Sequence, residues 1–367
     1  MSENMEHSPE LSPSPLIPSL PDDVTVDIVA RVPRSHYPIL SLVSKSFRKL
    51  IASPKLHKRR SQLGITQHRV YAVLHNPKTG DCRFYILHRK VSSRNRLVIV
   101  PSLPPMSLRG CFVPVGSKVY VFNDVDALSI DCTSHTLQPI PDMPLRMSAS
   151  PMSSKVANVI DGKVYLIGDC ALVTSHGMSW SKTVMVLDTE TQSWEPPVMI
   201  EQYLRVGALW SDAVVMEDKI FMKGFRNDYS IVYGPKENTW ESMGEVLNSK
   251  NWVSACMVDD VLYYHDCSEK ALRAYDQKQS RWSVVNGLEE FLASKCALSK
   301  RPNVVKCGEK KLALFFPKKH DGKEVFFCAE IALERRQGGE IWGNVESCDV
   351  VIEDGLFDMV QCVAVTV

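Results

Sequence analysis

The stretch VANVIDGKVYLIGD, residues 156–169, contains a tight turn at Asp161-Gly162 followed by an alternating strand. An acidic residue followed by glycine is typical of a hairpin turn, and alternation of apolar and polar residues is typical of a strand. The stretch therefore predicts a β-hairpin as a local unit of the fold.

Similar stretches recur along the chain. They are QHRVYAVLH, GSKVYVFND, EDKIFMKGF, DDVLYYHDC and GEKKLALFF, which align with Tyr165 at Tyr71, Tyr120, Phe221, Tyr263 and Ala313. Together the six copies occupy about 300 residues, or about 50 each, which is a period typical of repeat architectures.

A second element follows four of these strands. It is a polar turn that ends in a bulky apolar residue, in IDCTSHTL (130–137), LDTETQSW (187–194), YGPKENTW (233–240) and YDQKQSRW (275–282). The residue six positions before the bulky one is Asp131, Asp188, Gly234 or Asp276. An aspartate there is expected to bond the backbone of its own turn. The bulky residue is expected to open the next strand and to pack between sheets.

Each unit thus holds about four short strands and cannot cover both of its faces, whereas six units arranged radially cover one another. The prediction is a mainly β fold, a six-bladed kelch-type β-propeller over residues 65–367. The segment DMVQCVAVTV, residues 358–367, is expected to close the first blade, which lacks a first strand before Arg69.

In front of the repeats, SLPDDVTVDIVARVPRSHYPILSLVSKSFRKLI (19–51) has the pattern of helices. Pro21 suits the first position of a helix, and Pro33 ends it. A second helix begins near Tyr37, and a third begins at Pro54 after a cap at Ser53. The sequence predicts a small three-helix unit.

The apolar positions of this unit lie on more than one face, and three short helices bury little surface among themselves. Two interpretations follow. Either the apolar stripe docks on another protein, or it packs on the β domain of the same chain. Periodicity alone does not distinguish them.

Residues 15–60 resemble an F-box, because the Leu-Pro start, the helical stripe and VSKSFRKLI follow one another at the spacing of that family. With the repeats, nearly the whole chain resembles the plant F-box/kelch-repeat proteins. The resemblance implies that the F-box binds a Skp-type adaptor and, through it, a cullin. The adaptor-binding positions that it implies are Leu20, Pro21, Val24, Ile28, Val32, Pro33, Leu40, Val43, Ser44, Phe47, Leu50 and Ile51.

Composition limits the remaining possibilities. The net charge of +1 is atypical of a nucleic-acid-binding protein, and the sequence has neither a membrane span nor a secretory signal. We therefore expect a protein that resides in the cytoplasm, the nucleus or both, with a disordered Ser/Pro-rich tail over residues 1–14. The segment KLHKRR (55–60) is interpreted as a solvated basic helix end in preference to a nuclear signal or an RNA-binding patch.

No motif predicts catalysis, a metal or a cofactor. The eleven cysteines include no CxxC pair. His265, Asp266 and Cys267 are consecutive, so in a strand they face alternate sides and do not form a triad. A propeller oxidase with a metal is a remote alternative, since its ligand spacing is not recognisable here.

One segment is a candidate for binding a target protein. The third repeat has an insertion, Asp169–Lys182, which is expected to be a long loop. It carries His176, Met178 and Trp180, residue types that are suited to interface anchoring. A tolerated insertion without a binding role is an equal alternative, because long loops cost little. Trp210 and Tyr229 are weaker candidates that also suit a structural role.

The function implied by the resemblance is substrate recognition in an SCF-type (Skp–cullin–F-box) E3 ubiquitin ligase. The F-box would bind the Skp adaptor, and the propeller would hold a target protein for ubiquitination and proteasomal degradation. The protein itself would be a non-catalytic adaptor. The alternative is an interaction scaffold that keeps the F-box contact but does not lead to degradation.

Overall fold

The computed structural model describes residues 17, 20–33, 36–65, 67–89, 94–147, 154–174, 177–200, 209–295, 302–320, 323–353 and 357–367. The predicted tail over residues 1–14 lies outside this part of the chain. The chain divides into two compact units, Met1–Gln67 and His68–Val367. No helix within the described ranges has the length and apolar character that crossing a bilayer requires.

The first unit is helical. Its helices are α1 (Asp22–Arg31), α2 (Tyr37–Val43), α3 (Lys45–Ile51) and α4 (Pro54–Gln62). Where the sequence predicted one second helix, there are two, because Ser44 has an extended backbone (φ −159°, ψ 165°). The Ser44 hydroxyl accepts a hydrogen bond from the N–H of Phe47 at 3.1 Å and so caps α3.

The core of this unit is formed by one apolar side-chain cluster, which consists of Val26, Val29, Ala30, Tyr37, Phe47, Leu50 and Leu56. Arg60, near the end of α4, is 3% exposed. Its guanidinium reaches the end of α1, where the last carbonyl groups of a helix lack partners within the helix. α4 is therefore part of the fold of this unit.

The second unit consists of six sheets. The first contains β1 (His68–His75), β2 (Cys82–His88) and β3 (Arg96–Ile99). The second contains β4 (Cys111–Val115), β5 (Lys118–Phe122), β6 (Ala127–Asp131) and β7 (Thr136–Pro139). The third contains β8 (Lys155–Ile160), β9 (Lys163–Thr174), β10 (Gly177–Asp188), β11 (Ser193–Trp194) and β12 (Val198–Met199).

The fourth sheet contains β13 (Trp210–Met216), β14 (Lys219–Gly224), β15 (Ile231–Gly234) and β16 (Thr239–Ser242). The fifth contains β17 (Cys256–Val258), β18 (Val261–Asp266), β19 (Ala271–Asp276) and β20 (Arg281–Val284). The sixth contains β21 (Asn303–Gly308), β22 (Lys311–His320), β23 (Lys323–Arg335) and β24 (Ile341–Ile352). Short helices α5 (Glu245–Asn248) and α6 (Glu289–Lys295) connect the later sheets.

The last strand, β25 (Asp358–Thr366), belongs to the first sheet. It pairs antiparallel with β1, with Tyr71 opposite Val363, and gives the strand order β25-β1-β2-β3. The end of the chain therefore supplies the strand that the first blade lacks at its beginning. Pairing between sequence-distant strands closes the ring of blades and removes an open edge.

The predicted mainly β fold with six propeller blades is confirmed. All six aligned positions, from Tyr71 to Ala313, lie on the second strand of their sheet. On β1, Val70, Ala72 and Leu74 pack in one cluster and Tyr71 and Val73 in another. These strands are buried on both faces because each blade lies between two others.

Six apolar clusters hold the blades together in the described part of the second unit, one for each pair of neighbours. Phe112 and Tyr71 contribute to the cluster between the first two blades, whereas Phe315 and Leu74 contribute to the cluster between the sixth blade and the first. The core is thus a closed series of interfaces rather than one central cluster.

The predicted turn chemistry is also confirmed. Oδ1 of Asp188 accepts hydrogen bonds from the N–H groups of Glu190 and Thr191, each at 2.9 Å. Asp131 and Asp276 cap their turns in the same way. Where glycine replaces aspartate in the fourth blade, at Gly234, a Cβ atom would lie 2.7 Å from Oγ1 of Thr239, so a side chain there would require Thr239 to shift.

Candidate functional site

The helical unit presents apolar side chains at its surface. Ile39, Leu42 and Val43 on α2 are 65%, 76% and 64% exposed, and Val24 and Ile28 on α1 are 39% and 47% exposed. Large apolar side chains that are exposed on so small a unit are candidates for contact with a partner protein. We call these five residues the apolar surface of the helical unit.

The implied adaptor-binding residues divide by burial. Phe47 and Leu50 are 8% and 7% exposed and belong to the core. Pro21, Val24, Ile28, Pro33, Val43 and Ser44 are exposed, and Leu20, Val32, Leu40 and Ile51 are half-buried. Ile39 and Leu42, which are exposed on α2, are not among the implied adaptor-binding positions.

The basic segment at residues 55–60 is partly a structural element. Arg60 Nη1 donates hydrogen bonds to the carbonyl oxygens of Ala30 (2.7 Å) and Val32 (2.8 Å). Arg59 pairs with Asp27, and this hydrogen bond lowers the pKa of the Asp27 carboxyl. Two of the basic side chains thus bind α1, and the interpretation of the whole segment as a solvated helix end was wrong for Arg60.

The insertion of the third blade is not a loop. Residues 169–174 extend β9, and residues 177–182 extend β10, with Asp169 opposite Lys182 and Ala171 opposite Trp180. The expected long loop is therefore a lengthened β-hairpin. Residues 170–173, Cys-Ala-Leu-Val, form a short apolar run that is also consistent with a continued strand.

The predicted target-binding residues lie in different environments. Trp180 is 43% exposed on β10, whereas Trp210 is 5% exposed. Nε1 of Trp210 donates a hydrogen bond to the carbonyl oxygen of Tyr229 at 3.1 Å, so these two residues support each other within the fourth blade. His176 and the side chain of Met178 lie outside the described part of the chain.

Behind Trp210 lies a buried ion pair. Lys182 Nζ is 2.8 Å from Asp169 Oδ1 and 4.3 Å from the centre of the Trp210 ring. Burial lowers the pKa of Lys182. The pair joins the extended hairpin of the third blade to the first strand of the fourth, so Trp210 serves packing at this point.

The first strands of the six sheets, β25, β4, β8, β13, β17 and β21, line a central channel of about 560 Å³. Asp212 lies on its wall and accepts hydrogen bonds from the N–H groups of Ala213 (2.8 Å) and Ala255 (3.2 Å). Desolvation by the surrounding strands raises the pKa of Asp212 to about 6. The carboxylate joins the fourth blade to the fifth.

A second cavity, of about 950 Å³, adjoins the channel where several of these first strands begin. We call it the mouth cavity. His265, Asp266 and Cys267 line it together with Phe225 and Asn251. The Asp266 carboxylate accepts hydrogen bonds from Tyr264 Oη and from Ser268, while His265 Nδ1 lies 3.7 Å from Cys267 Sγ. These three residues therefore form a turn and part of a cavity wall.

Metal ligands are not grouped in the described ranges: no cluster of three or more His, Cys, Asp or Glu side chains suited to a metal ion is found there. The ten cysteines in those ranges are all unbridged. Burial raises the pKa of several of them, for example Cys82 and Cys170, each to about 11. Such thiols are protonated and poorly nucleophilic at neutral pH.

Comparison with known proteins matches both units. Residues 17–59 match the F-box domain, and residues 74–352 match the FKB95 kelch-repeats domain. The first match covers α1, α2, α3 and the first part of α4. The second match begins at the end of β1 and ends with β24. Both matches agree with the boundaries at which the helical unit gives way to strands.

Two relatives from Arabidopsis thaliana are similar over almost their full length. An F-box/kelch-repeat protein is 42% identical, covering 96% of this chain and 95% of its own. A putative F-box/kelch-repeat protein is 33% identical, covering 98% of this chain and 99% of its own. Among solved structures, AztD from Citrobacter koseri has a TM-score of 0.41 and 9% identity, covering 82% of this chain and 98% of that chain.

Proposed function

Since the chain belongs to the F-box/kelch-repeat family, we propose that it is the substrate-recognition subunit of an SCF-type ubiquitin ligase. Its F-box binds a Skp-type adaptor and, through that adaptor, a cullin. Its propeller holds a target protein. The subunit makes and breaks no bonds itself, but raises the effective concentration of the target near the charged conjugating enzyme.

The observation that carries this proposal is the apolar surface of the helical unit. Fully burying one such side chain is worth roughly 1.5–3 kcal/mol, so covering five partly exposed ones contributes on the order of 5 kcal/mol. This is of the same order as the roughly 4–15 kcal/mol that association costs, and further contacts add to it. The most exposed of the five, Leu42 and Ile39, are expected to contribute most.

The propeller supplies the second half of the proposal. Its strands form a rigid scaffold, and the connections between strands carry exposed side chains such as Phe225, which is 76% exposed. Loops on a rigid scaffold are where binding residues concentrate. The two units thus provide two binding functions in one chain, one for the adaptor and one for the target.

Binding of the full-length protein to a purified Skp-type adaptor tests the first half. Leu42→Asp and Ile39→Asp place a charge on the apolar surface, and each is expected to weaken binding at least tenfold. Val125→Asp is the matched control, since Val125 is 60% exposed on a propeller loop. Adaptor binding that is unchanged by both α2 substitutions, or absent in the wild type, refutes the proposal.

Degradation is tested separately in cells. Proteins captured by wild type and by Leu42→Asp under proteasome inhibition are compared, and the abundance of each shared partner is then followed after the protein is removed. A target of the ligase is expected to accumulate. Partners whose abundance stays constant would instead identify an interaction scaffold that does not direct degradation.

A further inference from the structure

The charged groups that line the mouth cavity already have partners within the fold. Lys250 is one of its walls, and Lys250 Nζ lies 2.6 Å from Glu269 Oε1. The Asp266 carboxylate accepts hydrogen bonds from Tyr264 Oη (2.8 Å) and from the N–H groups of Ser268 (3.0 Å) and Glu269 (3.2 Å). Neither charge therefore demands a partner from a ligand.

The imidazole of His265, which lies in the same wall, is uncharged at neutral pH. His265 is 5% exposed, and burial lowers the pKa of its imidazole to about 4. A charged ligand group entering the cavity would lose hydration without meeting a free opposite charge. The lining thus disfavours ligands of either sign.

The cavity offers uncharged hydrogen-bonding groups and an aromatic surface. Asn251 is exposed, and within the described ranges its side-chain amide forms no hydrogen bond, which leaves donors and an acceptor available. The hydroxyls of Ser249 and Ser211 donate to backbone carbonyls of their own blade and keep their oxygen lone pairs free to accept. Phe225, 76% exposed, forms part of the same wall and adds an aromatic surface.

We propose that the mouth cavity binds a segment of the target protein in which an uncharged hydrogen-bonding side chain, an amide or a hydroxyl, accompanies a large apolar residue. The amide or hydroxyl pairs with Asn251, and the apolar residue packs on Phe225. The inference rests on the proposed function, because it names the chemistry of the target that the propeller holds. The volume of about 950 Å³ suits a few residues of peptide.

The probe is a set of three displayed decapeptide pools. Each has a Gly/Ser background and one Phe next to a position that is Asn, Gln, Ser or Thr in the neutral pool, Asp or Glu in the acidic pool, and Lys or Arg in the basic pool. Immobilised full-length protein is the bait. We expect enrichment from the neutral pool alone.

Three variants locate the binding. Phe225→Ala, Asn251→Asp and Asn251→Lys are each expected to reduce that enrichment at least tenfold. Val125→Ala, on the corresponding loop of the second blade, is the matched control and is expected to leave it unchanged. All of these positions are exposed, so the variants should fold, and equal urea midpoints would verify this.

Four results would overturn the inference: no enrichment from any pool, enrichment from a charged pool only, enrichment that survives Phe225→Ala, or loss with only one of the two Asn251 variants. Loss of enrichment with only one of the two Asn251 variants would mean that the cavity recognises a charged group. Adaptor binding is measured on the same preparations. If it persists while the peptide result fails, the ligase proposal stands and only the target chemistry is wrong.

Discussion

Arg60, near the end of α4, donates a hydrogen bond from Nη1 to the carbonyl oxygen of Ala30 in α1 at 2.7 Å. The same atom donates to the carbonyl of Val32, and it also lies 3.2 Å from Tyr37 Oη. One buried guanidinium thus satisfies the carbonyls at the end of α1 and fixes α4 against it. A hydrogen bond to a charged group is worth about 1.5–3 kcal/mol.

Removing this guanidinium should unfold the helical unit before the propeller. Arg60→Ala leaves two buried carbonyls unpaired, and we expect a loss of about 3 kcal/mol for the unit. Lys58→Ala, on the exposed side of α4, is the control and should change stability by less than about 0.5 kcal/mol. Faster hydrogen exchange of the α1 amides, with weaker adaptor binding, is the expected result. Unchanged exchange in Arg60→Ala would contradict it.

The buried pair of Lys182 and Asp169 should show what removing one member of a buried ion pair costs. Lys182→Met keeps an apolar chain on Trp210 but removes the cation that lies 2.8 Å from the buried Asp169 carboxylate, so we expect a loss of about 3–5 kcal/mol. Adding Asp169→Leu to this variant should recover most of the lost stability. Urea unfolding followed by tryptophan fluorescence measures this, since all seven tryptophans belong to the second unit. A double variant as unstable as the single one would contradict the expectation.

Two desolvated groups, Asp212 and His265, should give the propeller opposite responses to pH. The pKa of Asp212 is raised to about 6, so the folded state binds a proton more tightly, and this contribution to stability is lost as pH rises from about 4 to 6. The pKa of His265 is lowered to about 4, so its contribution is lost as pH falls from about 6.5 to 4.

The titration of each group alone changes the free energy of unfolding by on the order of 1–3 kcal/mol across this window. In the wild type the two changes have opposite signs. Relative to the wild type, Asp212→Asn should become more stable with rising pH, and His265→Asn should become less stable. Urea midpoints at pH 4, 5, 6 and 7 measure both trends. Parallel curves for the two variants would show that neither group titrates as described.

Deleting residues 358–367 should prevent the propeller from folding. β25 supplies the innermost strand of the first blade, and its Val363 and Val365 are 3% and 1% exposed. Without β25, two of the blade interfaces lose part of their apolar cluster. We expect the shortened protein to show no cooperative unfolding transition in tryptophan fluorescence. Adding a peptide of residues 358–367 should restore part of that transition.

The control for this deletion is removal of residues 1–14, which should leave the transition of the propeller unchanged. A protein that lacks residues 358–367 but unfolds at the wild-type urea concentration would show that β25 does not hold the ring. The comparison is informative because the two deletions remove similar lengths from opposite ends of the chain.

Much of the architecture was readable from local patterns. Alternation around Tyr165 and its five counterparts predicted the second strand of every blade, and Asp188 predicted its own capped turn. These features depend on neighbours within a few residues, so backbone periodicity and turn chemistry express them directly. The same is true of the helices that begin near Pro21 and Pro54.

Other features depended on tertiary structure. The sequence did not show that Ser44 divides a helix, and it did not single out Ile39 and Leu42, which are exposed on α2. It interpreted Arg60 as a solvated residue, although the carbonyls that Arg60 binds are supplied by a helix distant in sequence. The extended hairpin at 169–182 was predicted to be a loop because its length was compared with those of other repeats instead of its pattern.

The sequence by itself determined the repeating blade, the turns between its strands and the presence of a separate apolar helical unit. Only the tertiary structure decided which side chains of that unit are core and which are surface, and it alone assembled the mouth cavity from Phe225, Asn251 and His265. The physical reason is that burial and cavity shape are set by partners far apart in the chain. Those partners come together only when the helices pack on one another and the blades close into a ring.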